Sequence, residues 1–212
     1  MMHAFVTPAV LFGAFFFAAA AYLGVILGNT FADRLPALAD GPAPHDVPLP
    51  ALLAVSALIG AIVIAFSAQS SQILMIAIVC VCLAAIWVTD ARRGIVPDVF
   101  TLGPLAIVLA VGLWKHEWLL FLSAAVPFVP FAFAATLSKG RGMGWGDVKL
   151  VALGGAVLGA QLSVLAFALA CLAAVAINYS RGRRRGIIAF APYLATSIAL
   201  ALPLGMFLAA WR

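Results

Sequence analysis

QILMIAIVCVCLAAIWVT, residues 72–89, is one of several long apolar runs in the sequence. It contains no charged side chain, and its length approaches the roughly 20 apolar residues that span a bilayer. Over the whole chain, 66% of the 212 residues are hydrophobic and 9% are charged, against about 25% charged in ordinary soluble domains. The apolar runs are too long and unbroken for barrel strands, which alternate polar and apolar residues. The sequence therefore predicts an all-α, polytopic integral membrane bundle.

About eight transmembrane helices are predicted, and the connections between them are short. The longest polar connection, residues 29–50, is rich in proline and is predicted to be a loop. An alternative with seven spans joins residues 148–178 into one long helix. The predicted spans are 4–28, 51–67, 72–89, 99–114, 118–137, 148–160, 162–179 and 187–210.

The distribution of basic residues favours eight spans with the N-terminus outside, because basic residues accumulate in cytoplasmic loops. Seven spans would put the cluster RGRRRG, residues 181–186, on the outer side. The net charge of +5 then reflects topology and attraction to anionic lipids, not nucleic-acid binding. With eight spans, the inner side carries ten of the 12 basic residues: Arg34, Arg92, Arg93, Lys139, Arg141, Lys149, Arg181, Arg183, Arg184 and Arg185.

Two aspartates lie directly at the ends of predicted spans: Asp90 follows residues 72–89, and Asp147 precedes residues 148–160. Either could simply mark a helix end, although a carboxylate suits a helix N-terminus and not a C-terminus. Two carboxylates brought to one point share a proton, because like charges at close range cannot both ionise. A water between them meets a base and an acid, which is what hydrolysis of an amide without a covalent intermediate requires.

Two motifs resemble those of the type IV prepilin leader peptidases, which are membrane aspartic proteases of the GxGD class. Gly144-Trp145-Gly146-Asp147 matches the GxGD element, and the match continues through Lys149. Around the first aspartate, the spacing of Asp90, Pro97 and Asp98 fits the family pattern. Near the last span the family often has Pro-Phe-Gly-Pro, whereas this chain has Ala-Phe-Ala-Pro at residues 189–192.

The resemblance implies that Asp90 and Asp147 form the catalytic pair. It implies that Gly144 and Gly146 act as a flexible hinge, supported by the motif residues Pro97, Asp98 and Lys149; a lysine that simply reaches the membrane interface is an equal alternative for Lys149. The implied reaction removes the short basic leader of a prepilin or pseudopilin at the cytoplasmic face of a bacterial inner membrane, without a cofactor. The implied partners are that substrate and membrane lipids.

The N-terminal part, residues 1–50, is predicted to be one span with a shortened cytoplasmic loop, a remnant of the domain that bifunctional relatives carry. Residues 51–212 form the predicted peptidase domain. The relatives that also methylate the cleaved pilin have two CxxC pairs in that loop, and residues 29–50 have no cysteine. Cys80, Cys82 and Cys171 lie inside apolar runs, so no metal site is predicted.

Three other functions stay open at this point. The chain could keep a methyltransferase activity, since Asn29 and Arg34-Leu35-Pro36 match the bifunctional members. It could be a non-catalytic membrane assembly subunit. It could also be a transporter that uses Asp90 and Asp147 as a proton relay, although a relay predicts acids deep inside several spans.

Overall fold

The fold of the chain is entirely helical over the residues that the structure describes. This structure is a computed structural model, and it describes residues 7–35, 48–66, 70–138, 143–180 and 190–210. These ranges contain eight helices and no strand, so the predicted helical bundle is confirmed. The helices are α1 Pro8–Arg34, α2 Leu49–Phe66, α3 Ser70–Arg93, α4 Asp98–Trp114, α5 Leu119–Leu137, α6 Trp145–Leu158, α7 Ala160–Ser180 and α8 Ala191–Ala210.

Each predicted span corresponds to one helix, but within the described ranges the number of helices that can cross a membrane is about five rather than eight. By length and hydropathy, α1, α2, α3, α5 and α7 qualify. Helix α4 and residues Ala191–Gly205 of α8 are apolar but shorter. The 14 residues of α6 rise only about 21 Å, less than the hydrocarbon core of about 30 Å. The apolar pattern of the sequence predicted where α4, α6 and α8 lie, but it did not show whether each helix is long enough to cross the hydrocarbon core.

The single long helix that the seven-span alternative assumed over residues 148–178 is not formed, because the chain breaks between α6 and α7. Gly159 has φ 79° and ψ 161°, and its N–H donates to the carbonyl of Gly155 at 3.0 Å. This φ lies in a region that side chains disfavour, which is where glycine commonly ends a helix. Helix α7 begins at the next residue, Ala160.

Helix α1 continues further than expected, since residues 29–34 are helical where a loop was predicted. The helix ends at Leu35, whose φ of −87° and ψ of 139° are extended, as expected for a residue before a proline. Residues 36–47 of the predicted loop lie outside the described residues, as do Lys139, Arg141 and the basic cluster 181–186.

The helix packing determines which elements surround the two motif aspartates. Helix α1 packs against α2 and α3, and α6 packs against α4, α5, α7 and α8. Helices α4 and α8 each contact both α3 and α6. A buried core that includes Phe17, Ile86, Leu153 and Ile198 joins these elements. The aspartate-bearing helices are therefore held in place by shared neighbours.

Candidate functional site

Asp90 lies in the last turn of α3, and its side chain is buried, with 5% of its surface exposed. The helix ends three residues later at Arg93, and the N–H of the next residue, Gly94, donates to the Asp90 carbonyl at 2.9 Å. Gly94 has φ 68°, the left-handed conformation that often terminates a helix. This turn redirects the chain into residues 95–97 and then into α4. The local sequence thus positions Asp90 at a helix end directly before a sharp change of direction.

Asp147 lies in the first turn of α6 and is also buried, with 9% of its surface exposed. Gly144 is the N-cap residue of α6, and its backbone amide hydrogen-bonds the Asp147 carboxylate. Burial raises the pKa of Asp147 to about 6, and the hydrogen bond from Gly144 opposes that rise. The positive end of the helix dipole also favours a negative charge here. Asp147 can therefore change protonation state near neutral pH.

The N-terminus of α8 and the carboxylate of Asp147 both contribute to the surroundings of Asp90. The backbone N–H of Ala191, the first residue of α8, hydrogen-bonds the Asp90 carboxylate. The carboxylate of Asp147 is close enough to interact with it electrostatically. Among the described residues, Asp90 Oδ2 is the one buried side-chain oxygen or nitrogen with no hydrogen-bond partner. A buried acceptor without a partner is costly, so an unpaired carboxylate oxygen beside a second acid indicates a site for a ligand.

Lys149 and Asp98 form an ion pair, with Lys149 Nζ 2.6 Å from Asp98 Oδ1. Lys149 lies in the first turns of α6, and Asp98 is the first residue of α4. The pair therefore joins the two motif segments, one helical turn or less from Asp147. Pro97 is the N-cap residue of α4, in extended conformation. Because Lys149 has this ion-pair partner, its presence is explained without assuming that it simply reaches the membrane interface.

The two glycines of the GxGD element have different environments, and neither has a positive φ. A Cβ added at Gly146 would lie 2.7 Å from Val96 Cβ, whereas one at Gly144 would lie 3.6 Å from Asp147 Oδ2, an ordinary contact. Neither residue therefore adopts a backbone angle that only glycine tolerates, and their role as a hinge stays a prediction. Gly146 allows α6 to approach the segment between α3 and α4.

A second polar cluster fixes the end of α3 to α1. Arg92 Nη1 donates to Asn29 Oδ1 at 2.9 Å and lies 3.4 Å from Asp33 Oδ1, and Arg93 Nε donates to the Ala32 carbonyl at 2.7 Å. Asn29 thus accepts a hydrogen bond from the residue two positions after Asp90. Asn29 lies inside α1, which continues to Arg34.

The described residues contain no group of three or more histidine, cysteine or acidic side chains that could hold a metal ion. Cys80, Cys82 and Cys171 are free thiols.

The sequence analysis did not assign four residues to the site: Gly94, Val96, Ala191 and Arg92, which hydrogen-bonds Asn29. Gly94 had a readable signal, because a glycine directly after two arginines is typical of a helix C-terminus. The contacts of Val96, Ala191 and Arg92 join residues far apart in sequence, and no local pattern marks them.

The fold and this site define a class: a multi-pass helical membrane protein with two buried carboxylates at one end of its bundle. Residues 77–178, which include both aspartates, match the model of the type IV leader peptidase family. No curated protein and no solved structure matches the chain significantly. Over these residues the chain is therefore similar to the type IV leader peptidases, and its long apolar helices are those of a multi-pass membrane protein.

Proposed function

We propose that the protein is an aspartic endopeptidase that removes the short basic leader from type IV prepilins or pseudopilins. Cleavage takes place at the cytoplasmic face of the bacterial inner membrane. The observation that carries the proposal concerns Asp90 Oδ2, which is buried without a hydrogen-bond partner. The carboxylate of Asp147 is close enough to Asp90 to interact with it electrostatically. Both residues are the aspartates that the two sequence motifs select.

The mechanism uses one ionised and one protonated carboxylate. Asp147 is the better-placed anion, since it lies at a helix N-terminus and accepts a hydrogen bond from the Gly144 amide. As the base, it takes a proton from the attacking water. Asp90 donates its proton to the scissile amide, so that the peptide nitrogen leaves as an amine. Because the charge of Asp147 acts on Asp90, the protonation of the two carboxylates is coupled.

A non-covalent mechanism also agrees with what surrounds the pair. No serine or cysteine is placed as a nucleophile in the motif segments, whose polar residues are Asp90, Asp98, Asp147 and Lys149 with Arg92 and Arg93. Asp98 and Lys149 neutralise one another. The buried charged residues in the described ranges are Asp90 and Asp147 alone. A transporter with a proton relay would need further acids along the spans, so protease chemistry is favoured.

We further propose that the protein cleaves but does not methylate. Asn29, which matches the bifunctional relatives, is explained by its hydrogen bond to Arg92. The loop after it has no cysteine, and a small metal-bound lobe generally depends on its metal to fold. A methyl-donor site therefore has no support in the residues of this region.

The test replaces each aspartate by its uncharged isostere. Asp90→Asn and Asp147→Asn should each abolish conversion of a co-expressed prepilin to the faster-migrating mature form, while the protein still inserts. Glu117→Gln, a matched change in the exposed turn before α5, should process normally. Normal processing by either aspartate variant would refute the two-carboxylate mechanism.

A further inference from the structure

An open apolar groove of about 240 Å³ lies between α2, α3 and α8. The wall from α2 is formed by residues at helical spacing, including Leu52, Val55 and Ile59. Apart from the Ser56 and Thr196 hydroxyls, the lining side chains are hydrophobic. The Thr196 hydroxyl is already satisfied, because it donates to the Pro192 carbonyl at 2.7 Å.

Two walls of the groove lead to the candidate site. On α3, Leu83 and Trp87 line the groove, and Asp90 follows them at spacings of seven and three residues, which is one face of a helix. On α8, Ala199 and Ala195 line it, and Ala191 continues the same face four residues earlier. The backbone N–H of Ala191 donates a hydrogen bond to the Asp90 carboxylate. The groove therefore ends one helical turn from Asp90.

Much of the lining is small, which suits a helix as the occupant. Ala51, Ala84, Ala195, Ala199 and Cys80 contribute to it. Small side chains let helices approach closely in membranes, where packing rather than the hydrophobic effect drives association. A peptide that continues into the hydrocarbon core must be helical to satisfy its backbone. The backbone of such a helical peptide is already hydrogen-bonded, so the peptide contacts the groove with its side chains only.

We propose that this groove holds the apolar helix of the prepilin that follows the scissile bond. This inference rests on the proposed function and adds a docking site to it. The helix of the substrate packs along α2, α3 and α8, so that the residues before it emerge beside Asp90. The groove therefore determines which membrane helices can present a bond to the aspartates.

The experiment fills the groove and compares two substrates. Ala199→Phe adds a ring from α8, and Ala51→Phe adds one from the exposed side of α2. Ala168→Phe is the matched control, because Ala168 is exposed on α7 and does not line the groove. One substrate is a full-length prepilin in detergent. The other is a soluble peptide that contains the leader and ends shortly after the scissile bond.

Both groove variants should raise the KM for the full-length prepilin about tenfold, because the added ring fills the groove and prevents close packing of the substrate helix. Their kcat/KM for the short peptide should stay at the value of the unaltered protein, which also shows that the variants fold. Ala168→Phe should change neither value.

An unchanged KM for full-length prepilin would overturn the proposal, and it is the result expected if a lipid acyl chain occupies the groove. An equal loss with both substrates would also overturn it, since the ring would then act on the aspartates. If the unaltered protein cleaves neither substrate, the proposed function itself fails, and the docking site fails with it.

Discussion

Gly146→Ala should place a methyl group where there is no room for it. The new Cβ would lie 2.7 Å from Val96 Cβ, 3.3 Å from Val96 Cγ2 and 3.5 Å from Val96 Cγ1. Carbon atoms in contact are normally about 3.5–4.0 Å apart, so the two segments must separate by roughly 1 Å. Val96 yields poorly because it is β-branched and its backbone is restricted by Pro97. The displacement therefore falls on α6 and on Asp147, the next residue.

The expected cost has two parts. Overpacking of this kind lowers the free energy of unfolding by about 1–3 kcal/mol, which leaves the fold intact in a protein of ordinary stability. A 1 Å misplacement of a catalytic group costs about a hundredfold in rate. We therefore expect kcat to fall about a hundredfold while the protein is still inserted and monodisperse in detergent.

The assay is the initial rate of prepilin cleavage at saturating substrate. Two control variants test whether the loss of rate comes from lack of space or simply from replacing a glycine. At Gly103 an added Cβ meets nothing within 4 Å, and at Gly144 it makes only the ordinary 3.6 Å contact. Gly103→Ala and Gly144→Ala should each stay within about threefold of the unaltered protein. Val96→Gly, added to Gly146→Ala, should restore much of the rate, whereas Val96→Ala should restore little because its Cβ remains. A Gly146→Ala protein with normal kcat would refute the argument that this contact positions Asp147.

The remaining predictions concern an ion pair, protonation, a helix end and methylation. Asp98→Asn should lower kcat by no more than about fivefold, because a largely exposed ion pair contributes only about 0–1 kcal/mol; a complete loss would make Asp98 part of the catalytic machinery. The raised pKa of Asp147, about 6, should make kcat/KM fall as the pH drops below about 6, since the base becomes protonated; a limb near pH 4, measured in detergent from pH 4 to 8, would contradict this. Gly94→Ala should lower the free energy of unfolding by about 1 kcal/mol, because residue 94 has φ 68°, with Gly103→Ala as the control in thermal melts. Mass spectrometry of pilin matured by this protein with the methyl donor supplied should find an unmethylated N-terminus, and a chain-dependent gain of one methyl group would overturn the peptidase-only proposal.

Local sequence predicted the helices of this fold well and their lengths less well. The apolar runs located all eight helices, because a chain in hydrocarbon must satisfy its backbone hydrogen bonds within each segment. The end of α1 was missed because the polar residues after position 28 were read as a loop. In the structure Asn29 and Asp33 remain helical, where they contact Arg92. Their polarity reflected a partner on α3, which only tertiary packing supplies.

For the candidate site, the sequence predicted the two aspartates, through the motifs around Asp90 and Asp147, and a break between the apolar runs 148–160 and 162–179. These are local properties: residue type, spacing and the conformational freedom of glycine. The tertiary structure decided what the aspartates meet, namely the Ala191 amide at Asp90, the Lys149–Asp98 pair and the contact of Gly146 with Val96. It also decided that the glycine of the motif provides space rather than an unusual backbone angle. Such contacts depend on which helices become neighbours, and that follows from the packing of the whole bundle, not from any stretch of the chain alone.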